Sequence, residues 1–274
     1  MYTEYQPSHL LVPYIDNYWE FKGNPDYGMR IHILPDGCTD FIFTLGEVAN
    51  AVEEGSLIMQ PYRSYFVGPM TKYSELVTYT ESIHMFGVRF LPCGLSCFTN
   101  LPLHEFVNSR VSTNEMKAVF DDTFIEKLGE QKHVTDRIRV VEEYLLAYLA
   151  RHYQPADSHV AMVVNMINHS KGKRSVRSLM DDVCLCQRHF ERKFKHYTGF
   201  TPKEYSRIVK FKNAVELLRT TTSANLLTTA VDAGYYDLAH FSKEIKSMSG
   251  NTPASFLSLT VPEETTLTYI EPQR

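Results

Sequence analysis

One stretch of the chain is written twice, and the two copies lie 51 residues apart. The first copy runs over residues 189–205 and the second over residues 240–256. Aromatic, basic, glycine and proline positions match without a gap, from the His-Phe pair that opens each copy to the Gly-x-Thr-Pro sequence near its end. Such a match indicates tandem copies of one structural unit. The repeat therefore predicts a protein that grips a partner with a repeating surface, and double-stranded DNA is the leading candidate.

The first copy has the pattern of a helix-turn-helix unit. A short helix over 176–183 is followed, after a turn, by a second helix over about 187–197. On the second helix Phe190, Phe194 and Tyr197 share a face that is predicted to be buried. A unit of this kind places its second helix in the major groove. The face predicted to be exposed carries Arg188, Glu191, Arg192 and Lys195.

The second copy follows the same pattern. A short helix over 226–231 and a turn at Gly234 precede a helix over 238–248, on which Phe241 and Ile245 are predicted to face inward. The outward positions, at the 51-residue offset from those of the first copy, are Ala239, Ser242, Lys243 and Lys246.

A helix is predicted over 202–219, between the two units, and each Thr-Pro pair supplies a cap followed by proline in the first turn. A rigid connecting helix would fix the two recognition helices relative to one another. If they lie about 34 Å apart, they enter successive major grooves on one face of the duplex.

The second copy also carries a more specific motif, which reads Ala230-x-x-x-Gly234-Tyr235-x-Asp237-x-x-His240-Phe241-Ser242-Lys243 and then Lys246-x-x-x-Gly250-x-Thr252-Pro253-x-x-Phe256. The pattern resembles the C-terminal domain of AraC/XylS-type transcription regulators over residues 158–258. It departs from that family at Ile245, where Phe is usual, and at Leu257, where Arg is common. The resemblance implies a sequence-specific DNA-binding transcription regulator whose β-rich N-terminal part responds to a small molecule or dimerises.

The resemblance also implies which residues contact DNA. The base-contacting positions are Arg188, Glu191 and Arg192 in the first unit, and Leu238, Ala239, His240, Ser242 and Lys243 in the second. An arginine that forks onto guanine contributes about 1–3 kcal/mol of discrimination. Glu191 either accepts from a cytosine amino group or orients the two arginines, and we favour orientation. Phosphate contacts are expected from Lys171, Lys173, Arg174, Lys195 and Lys246.

The charge distribution agrees with a polyanionic partner for one end of the chain. Residues 158–260 hold 15 Lys and Arg against 8 Asp and Glu, whereas residues 1–157 hold 12 against 21, within a net charge of −4. The basic residues coincide with the repeat, which makes an ordinary solvated surface the weaker explanation.

The N-terminal half is rich in β-branched and aromatic residues that are separated by turn formers. We predict an α+β fold: a β-rich sandwich or barrel-like regulatory domain over 1–110, a helical segment over 111–156, an all-α double helix-turn-helix domain over 157–260, and an acidic tail over 261–274. The amphipathic helix over 134–151 is a candidate for dimerisation, although its apolar stripe would also pack on the β-domain. Strands are predicted at 30–34, 39–45, 56–60, 63–68, 75–80 and 83–90.

Four polar residues of the β-domain are candidates for effector binding: Arg30, His32, Asp40 and Arg89. Arg89 would either bind an anionic effector or pair with Asp36 or Asp40, and we favour the ion pair. The same region contains Glu81 and His84, but neither His-x-His nor His-Glu-x-x-His spacing occurs. We therefore predict no metal, cofactor or catalytic residue.

Two other functions remain open at this stage. One is a helical protein-interaction module, and the other is a β-barrel metal or ligand enzyme with a vestigial DNA-binding domain. The N-terminus lacks a basic and apolar leader, and five cysteines without paired zinc spacing fit a reducing cytoplasm. The expected partners are duplex DNA, an unidentified small molecule, a second copy of the chain, and RNA polymerase if the protein is an activator.

Overall fold

The computed structural model describes residues 2–51, 57–116, 119–120, 122–152, 155–183, 186–220, 226–257 and 268–271. Its N-terminal half contains two antiparallel sheets that pack face to face. The strands are β1 (Tyr2–Tyr5), β2 (Ile15–Gly23), β3 (Met29–Ile33), β4 (Thr39–Thr44), β5 (Asn50–Ala51), β6 (Ser64–Val67), β7 (Ser74–Thr78), β8 (Ile83–Phe90), β9 (Arg110–Ser112) and β10 (Thr268–Glu271). The larger sheet has the order β1-β2-β8-β4-β6-β9, and the smaller one has the order β10-β3-β7-β5.

The larger sheet is covered on both faces. Ile42 lies in the core between the two sheets. Phe41 and Phe43, on the other face of the same strand, lie in a second core. Two helices close that second core, α1 (Asp122–Gly129) and α2 (Val134–His152). Because side chains of β4 point into one core or the other, all six of its positions are buried.

Helix α2 confirms the predicted amphipathic helix, and its apolar stripe packs on the β-domain. Val141 and Leu145 are fully buried in the core that contains the phenylalanines of β4. The buried Arg137 donates to the carboxylate of Glu20 at 2.9 Å and so ties the helix to β2. The apolar stripe of α2 is therefore buried against the β-domain of the same chain. Dimerisation stays a prediction, and it would have to involve a different surface of the protein.

The C-terminal half is helical over residues 158–257, within the ranges that the structure describes. Its helices are α3 (Ser158–His169), α4 (Val176–Val183), α5 (Gln187–Thr198), α6 (Pro202–Thr220), α7 (Leu226–Asp232), α8 (Leu238–Ser249) and α9 (Pro253–Leu257). Apolar residues from both copies of the repeat enter one common core. The predicted α+β class is thus confirmed.

The two halves are in contact with each other. Leu34 and Cys93, from the β-domain, are buried in the same cluster as the helices. The ring of Tyr205, on α6, occupies the place that a side chain at Gly37 would fill, since a Cβ there would lie 2.7 Å from the ring. The turn between β3 and β4 therefore abuts the helix that connects the two repeat units.

The predicted strands agree with β3, β4, β6, β7 and β8, but the prediction for 56–60 is wrong over its described residues. Residues 57–60 form no strand. The backbone N–H of Gln60 donates to the Tyr65 hydroxyl at 2.6 Å, and its carbonyl accepts from the Thr44 hydroxyl at 2.7 Å, so side chains take the place of a strand partner. Residue 56 lies outside the described ranges. The prediction missed β1, β2, β5, β9 and β10.

Among the described residues, none of the helices combines the length and the hydropathy that a membrane crossing needs.

The close contact between β2 and β8 predicts a strong effect of a single methyl group. Gly87 pairs with Trp19, and a Cβ at position 87 would lie 1.9 Å from the indole. The indole cannot move freely, because its Nε1–H donates to Asp40 at 2.7 Å. We expect Gly87→Ala to lower the free energy of unfolding by about 3 kcal/mol, as measured by urea unfolding.

Gly129→Ala is the matched control, because nothing lies within 4 Å of a Cβ at the end of α1. Its unfolding midpoint should stay near that of the unchanged chain. Equal midpoints for the two variants would show that the β2–β8 contact is looser than described.

Candidate DNA-binding surface

The first recognition helix, α5, has one buried face and one exposed face. Phe190 and Phe194 are fully buried, and the ring of Phe194 lies 6.0 Å from that of Tyr205 on α6. Arg188 and Arg192 are exposed on the opposite face. The predicted division is confirmed for these residues and for Lys195, whereas Tyr197 and Glu191 are half-buried.

The second recognition helix, α8, repeats this arrangement. Asp237 caps it, and its carboxylate accepts from the backbone N–H of His240 at 2.7 Å. Phe241 and Ile245 are fully buried, while Lys243 is exposed. Both copies of the repeat therefore present the same helix face to solvent.

Helix α6 holds the two units together. It begins with a capping box, in which Thr201 Oγ1 accepts from the N–H of Glu204 at 3.2 Å and Glu204 accepts from the N–H of Thr201 at 2.7 Å. Partial burial raises the pKa of Glu204, but the hydrogen bonds from Thr201 and the charges of Lys195 and Arg207 together lower the pKa overall. Farther along α6, Arg207 forms a two-pronged ion pair with Glu244 of α8, with distances of 2.9 and 3.0 Å. These contacts fix α8 against the connecting helix.

The side chains expected to contact bases have neighbours of their own. Glu191 accepts from the amide of Gln187 at 2.9 Å, so its observed partner is Gln187 and not either arginine that we expected it to orient. Arg192 lies 3.3 Å from the ring nitrogen of His189, which keeps its guanidinium near the surface of α5. His240 is exposed, and its ring meets the edge of the Tyr235 ring at 5.4 Å. In the second unit Leu238, Ala239 and Lys243 are exposed, and Ser242 is half-buried.

Most of the residues expected to contact phosphate are exposed on this domain: Lys171, Lys173, Lys195 and Lys246. Arg174 is different. Its guanidinium forms an ion pair with Asp182 and donates to the Ser178 carbonyl at 3.1 Å. These bonds join Arg174 to α4 while its side chain stays partly exposed, so its contact with phosphate remains a prediction.

One exposed residue beside the second recognition helix was not predicted. Tyr236 is 92% exposed in the turn that leads into α8. An aromatic residue so open to solvent, next to a capping residue, is suited to contact with a sugar or base. The Tyr235-Tyr236 pair was a signal in the sequence, but periodicity alone does not say which of the two faces out.

The N-terminal domain contains a separate cavity of about 50 Å³ between its sheets. Arg89 and Asp40 are part of its wall, and Arg89 Nε lies 3.2 Å from Asp40 Oδ1. Arg89 also lies 3.5 Å from Asp36, which confirms the predicted ion pair. Burial raises the pKa of Asp40, and the Arg89 guanidinium opposes that rise. The remaining lining is mostly apolar: Tyr2, Trp19, Phe21, Ile31, Ile33, Ile42, Val67, Met70, Leu76, Met85 and Arg110.

Arg30 and His32 do not line this cavity, so the four predicted effector residues do not form one site here. On β3 they alternate with Ile31 and Ile33, and those two isoleucines face the cavity. Arg30 forms an ion pair with Glu75, and His32 lies 3.6 Å from the same carboxylate. Only Asp40 and Arg89 of the four candidates are brought together at the cavity. Within the described residues, no cluster of three or more His, Cys, Asp or Glu side chains is arranged to hold a metal ion.

Two protein-family descriptions match separate parts of the chain. Residues 179–258 match a family described as a helix-turn-helix domain, and residues 3–112 match a domain family of unknown function. The fold is similar to that of ToxT from Vibrio cholerae, which is 10% identical, with a TM-score of 0.51 over 88% of this chain and 97% of that one. A structure of a ToxT variant without ligand gives a TM-score of 0.50 at 10% identity, over 88% and 96% of the two chains. No curated protein matches the sequence.

Proposed function

We propose that this chain is a DNA-binding transcription regulator of the AraC/XylS type and that it reads two successive major grooves with α5 and α8. One observation carries the proposal. The two helices present equivalent faces to solvent, and both are seated in a single apolar core. A fixed pair of exposed helices suits a duplex, whose grooves repeat at a fixed distance.

The two helices would contribute unequally to sequence discrimination. Arg188 and Arg192 are long, exposed and able to donate two hydrogen bonds to one guanine. The second helix offers Leu238 and Ala239, which suit contact with thymine methyl groups. Glu191, His240, Ser242 and Lys243 complete the set that we propose to contact bases. Lys171, Lys173, Lys195 and Lys246 would add affinity through phosphates without reading sequence.

We also propose that the cavity of the N-terminal domain binds a small effector. Its lining is largely aromatic and aliphatic, while Arg89, Asp40 and Arg110 supply a few polar groups, and this combination is typical of ligand sites. Because about 50 Å³ is far below the volume of an ordinary ligand site, an effector of usual size would have to displace side chains of the cavity wall.

Selection of binding sites from a random pool of duplexes tests the main proposal. We expect enriched sequences with two conserved boxes whose centres lie about one helical turn apart, so that both are read from one face. Enrichment of a single box would show that only one helix reads DNA. A pool without enrichment, at low and at moderate salt, would reject DNA reading altogether.

Two substitutions separate base reading from phosphate contact. Arg192→Ala should weaken binding to the selected sequence by about 1–3 kcal/mol and relax preference at one base position. Lys246→Ala should weaken binding to selected and random duplexes alike, and lower the slope of log affinity against log salt by about one. Fluorescence anisotropy at several salt concentrations measures both effects. Equal losses on both duplexes for Arg192→Ala would remove it from the base-reading set.

The effector proposal is tested by filling the cavity. A panel of small carboxylates, amines and uncharged aromatics is screened for compounds that raise the melting temperature. We expect the stabilisation by such a compound to disappear in Leu76→Phe, since Leu76 is buried at the cavity wall. Ile58→Phe, at a position 65% exposed, is the control and should retain it. A compound that stabilises Leu76→Phe equally well binds elsewhere.

A further inference from the structure

Both recognition helices end against the same short segment of the N-terminal domain. Helix α5 is capped by Gly199 and helix α8 by Gly250, and these glycines occupy matching positions of the two copies. Both have positive φ, +84° and +75°, as C-capping glycines commonly do. Residues 68–73, between β6 and β7, contact both of them. We call these residues the bridging segment.

At the first helix the contact is made by a proline. A Cβ at Gly199 would lie 2.6 Å from Pro69 Cγ and 3.3 Å from the carbonyl oxygen of Leu103. One turn earlier on α5, His196 Nε2 forms a hydrogen bond of 3.0 Å with Asn100 Oδ1. The end of α5 is thus seated on the N-terminal domain, and no side chain fits at position 199.

At the second helix the contact is made by a tyrosine. A Cβ at Gly250 would lie 2.7 Å from Tyr73 Cζ. The backbone N–H of Tyr73 also donates to the carbonyl oxygen of Met248 at 2.8 Å, on the last turn of α8. The ring of His32 stacks on the Tyr73 ring at 5.6 Å with an interplanar angle of 4°. The end of α8 is therefore held by a backbone hydrogen bond and by an aromatic ring that is itself supported.

Hydrogen bonds to the neighbouring chain hold the bridging segment in shape. The N–H of Gly68 donates to the Ser109 carbonyl at 3.0 Å, and the Pro69 carbonyl accepts from the N–H of Asn108 at 2.8 Å. The side chain of Asn108 accepts from the N–H of Thr71 at 2.8 Å. Because the segment is hydrogen-bonded at both its start and its middle, it holds the ends of the two helices at a fixed position relative to each other.

We propose that the bridging segment is a spacer that fixes the distance and the relative rotation of α5 and α8, and thereby sets the separation of the two DNA boxes. This proposal rests on the proposed reading of two grooves. The segment touches the C-terminal ends of the helices, whereas Arg192 and Lys243 each lie seven residues before the capping glycine of their helix, or about 10 Å along its axis at 1.5 Å per residue.

The bridging segment forms a second connection between the two helix-turn-helix units. On one side they are joined by α6 and the common core, and on the other by Pro69 and Tyr73. Adding one base pair between the boxes moves one box by about 3.4 Å and rotates it by about 35°. Helices held at both sides cannot follow that change, whereas helices held at one side can follow part of it.

The test compares DNA duplexes that carry both selected boxes at the native separation, with one base pair removed, or with one base pair added. The unchanged chain should favour the native separation by about tenfold over the altered ones, and Tyr73→Ala should reduce this preference to about threefold or less. Affinity for a single box should stay within about twofold, because Tyr73 contacts the end of α8 opposite to Leu238 and Ala239. Tyr79→Ala, at a position 63% exposed just beyond β7, is the control and should keep the full preference.

Pro69→Ala gives a second, independent measurement at the other helix end, and it should also weaken the preference for separation. Full preference in both variants would overturn the spacer. The spacer would also be overturned if the variants lost as much affinity for single-box duplexes as for two-box duplexes. The segment would then only stabilise the domain. If selection from the random pool with the unchanged chain enriches one box and not two, the proposed reading of two grooves is rejected. That outcome is distinct from a failure of the spacer proposal, which is measured on duplexes that carry both boxes.

Discussion

The basic surface of the C-terminal half depends on the common apolar core beneath α5 and α8. Phe190 and Phe194 enter it from the first unit, and Phe241 and Ile245 enter it from the second, all fully buried. Burying one such side chain contributes about 1.5–3 kcal/mol. With a helical repeat of 3.6 residues, burial of these positions directs the arginines and lysines of the same helices outward. The exposed basic faces follow from the burial of the aromatic ones.

The sequence predicts the C-terminal half well because its information is local and repeated. The 3.6-residue period, the capping residues and the matching glycines each indicate the same helices in both copies. The N-terminal half is harder, since its strands pair across long stretches of sequence. Strand β1 pairs with β2, but β10 reaches β3 from the opposite end of the chain, with Thr268 opposite Ile33. No local pattern indicates such a pairing.

For the candidate site, too, the sequence predicts the arrangement of side chains only in part. Helical spacing shows which residues share a face, and the exposed faces of α5 and α8 are as expected. It does not show which partner a charged side chain chooses among near neighbours, so Glu191 bonds to Gln187 and Arg174 to Asp182. In β3 the alternation separates Arg30 from Ile31, but the sheet on the other side decides which of the two faces the cavity.

The cavity and the helical domain are connected by contacts that a bound molecule would meet directly. Val67 and Met70 line the cavity and belong to, or adjoin, the bridging segment that seats α5 and α8. Arg89 reaches from the cavity wall to Asp36, and the turn that contains Asp36 lies against Tyr205 of α6. A buried arginine shared by two carboxylates is costly to separate from either one. Any effector that displaces Arg89 or Met70 must therefore move an element that also touches the helices, and the rigidity that fixes the two reading faces is what would carry the signal to them.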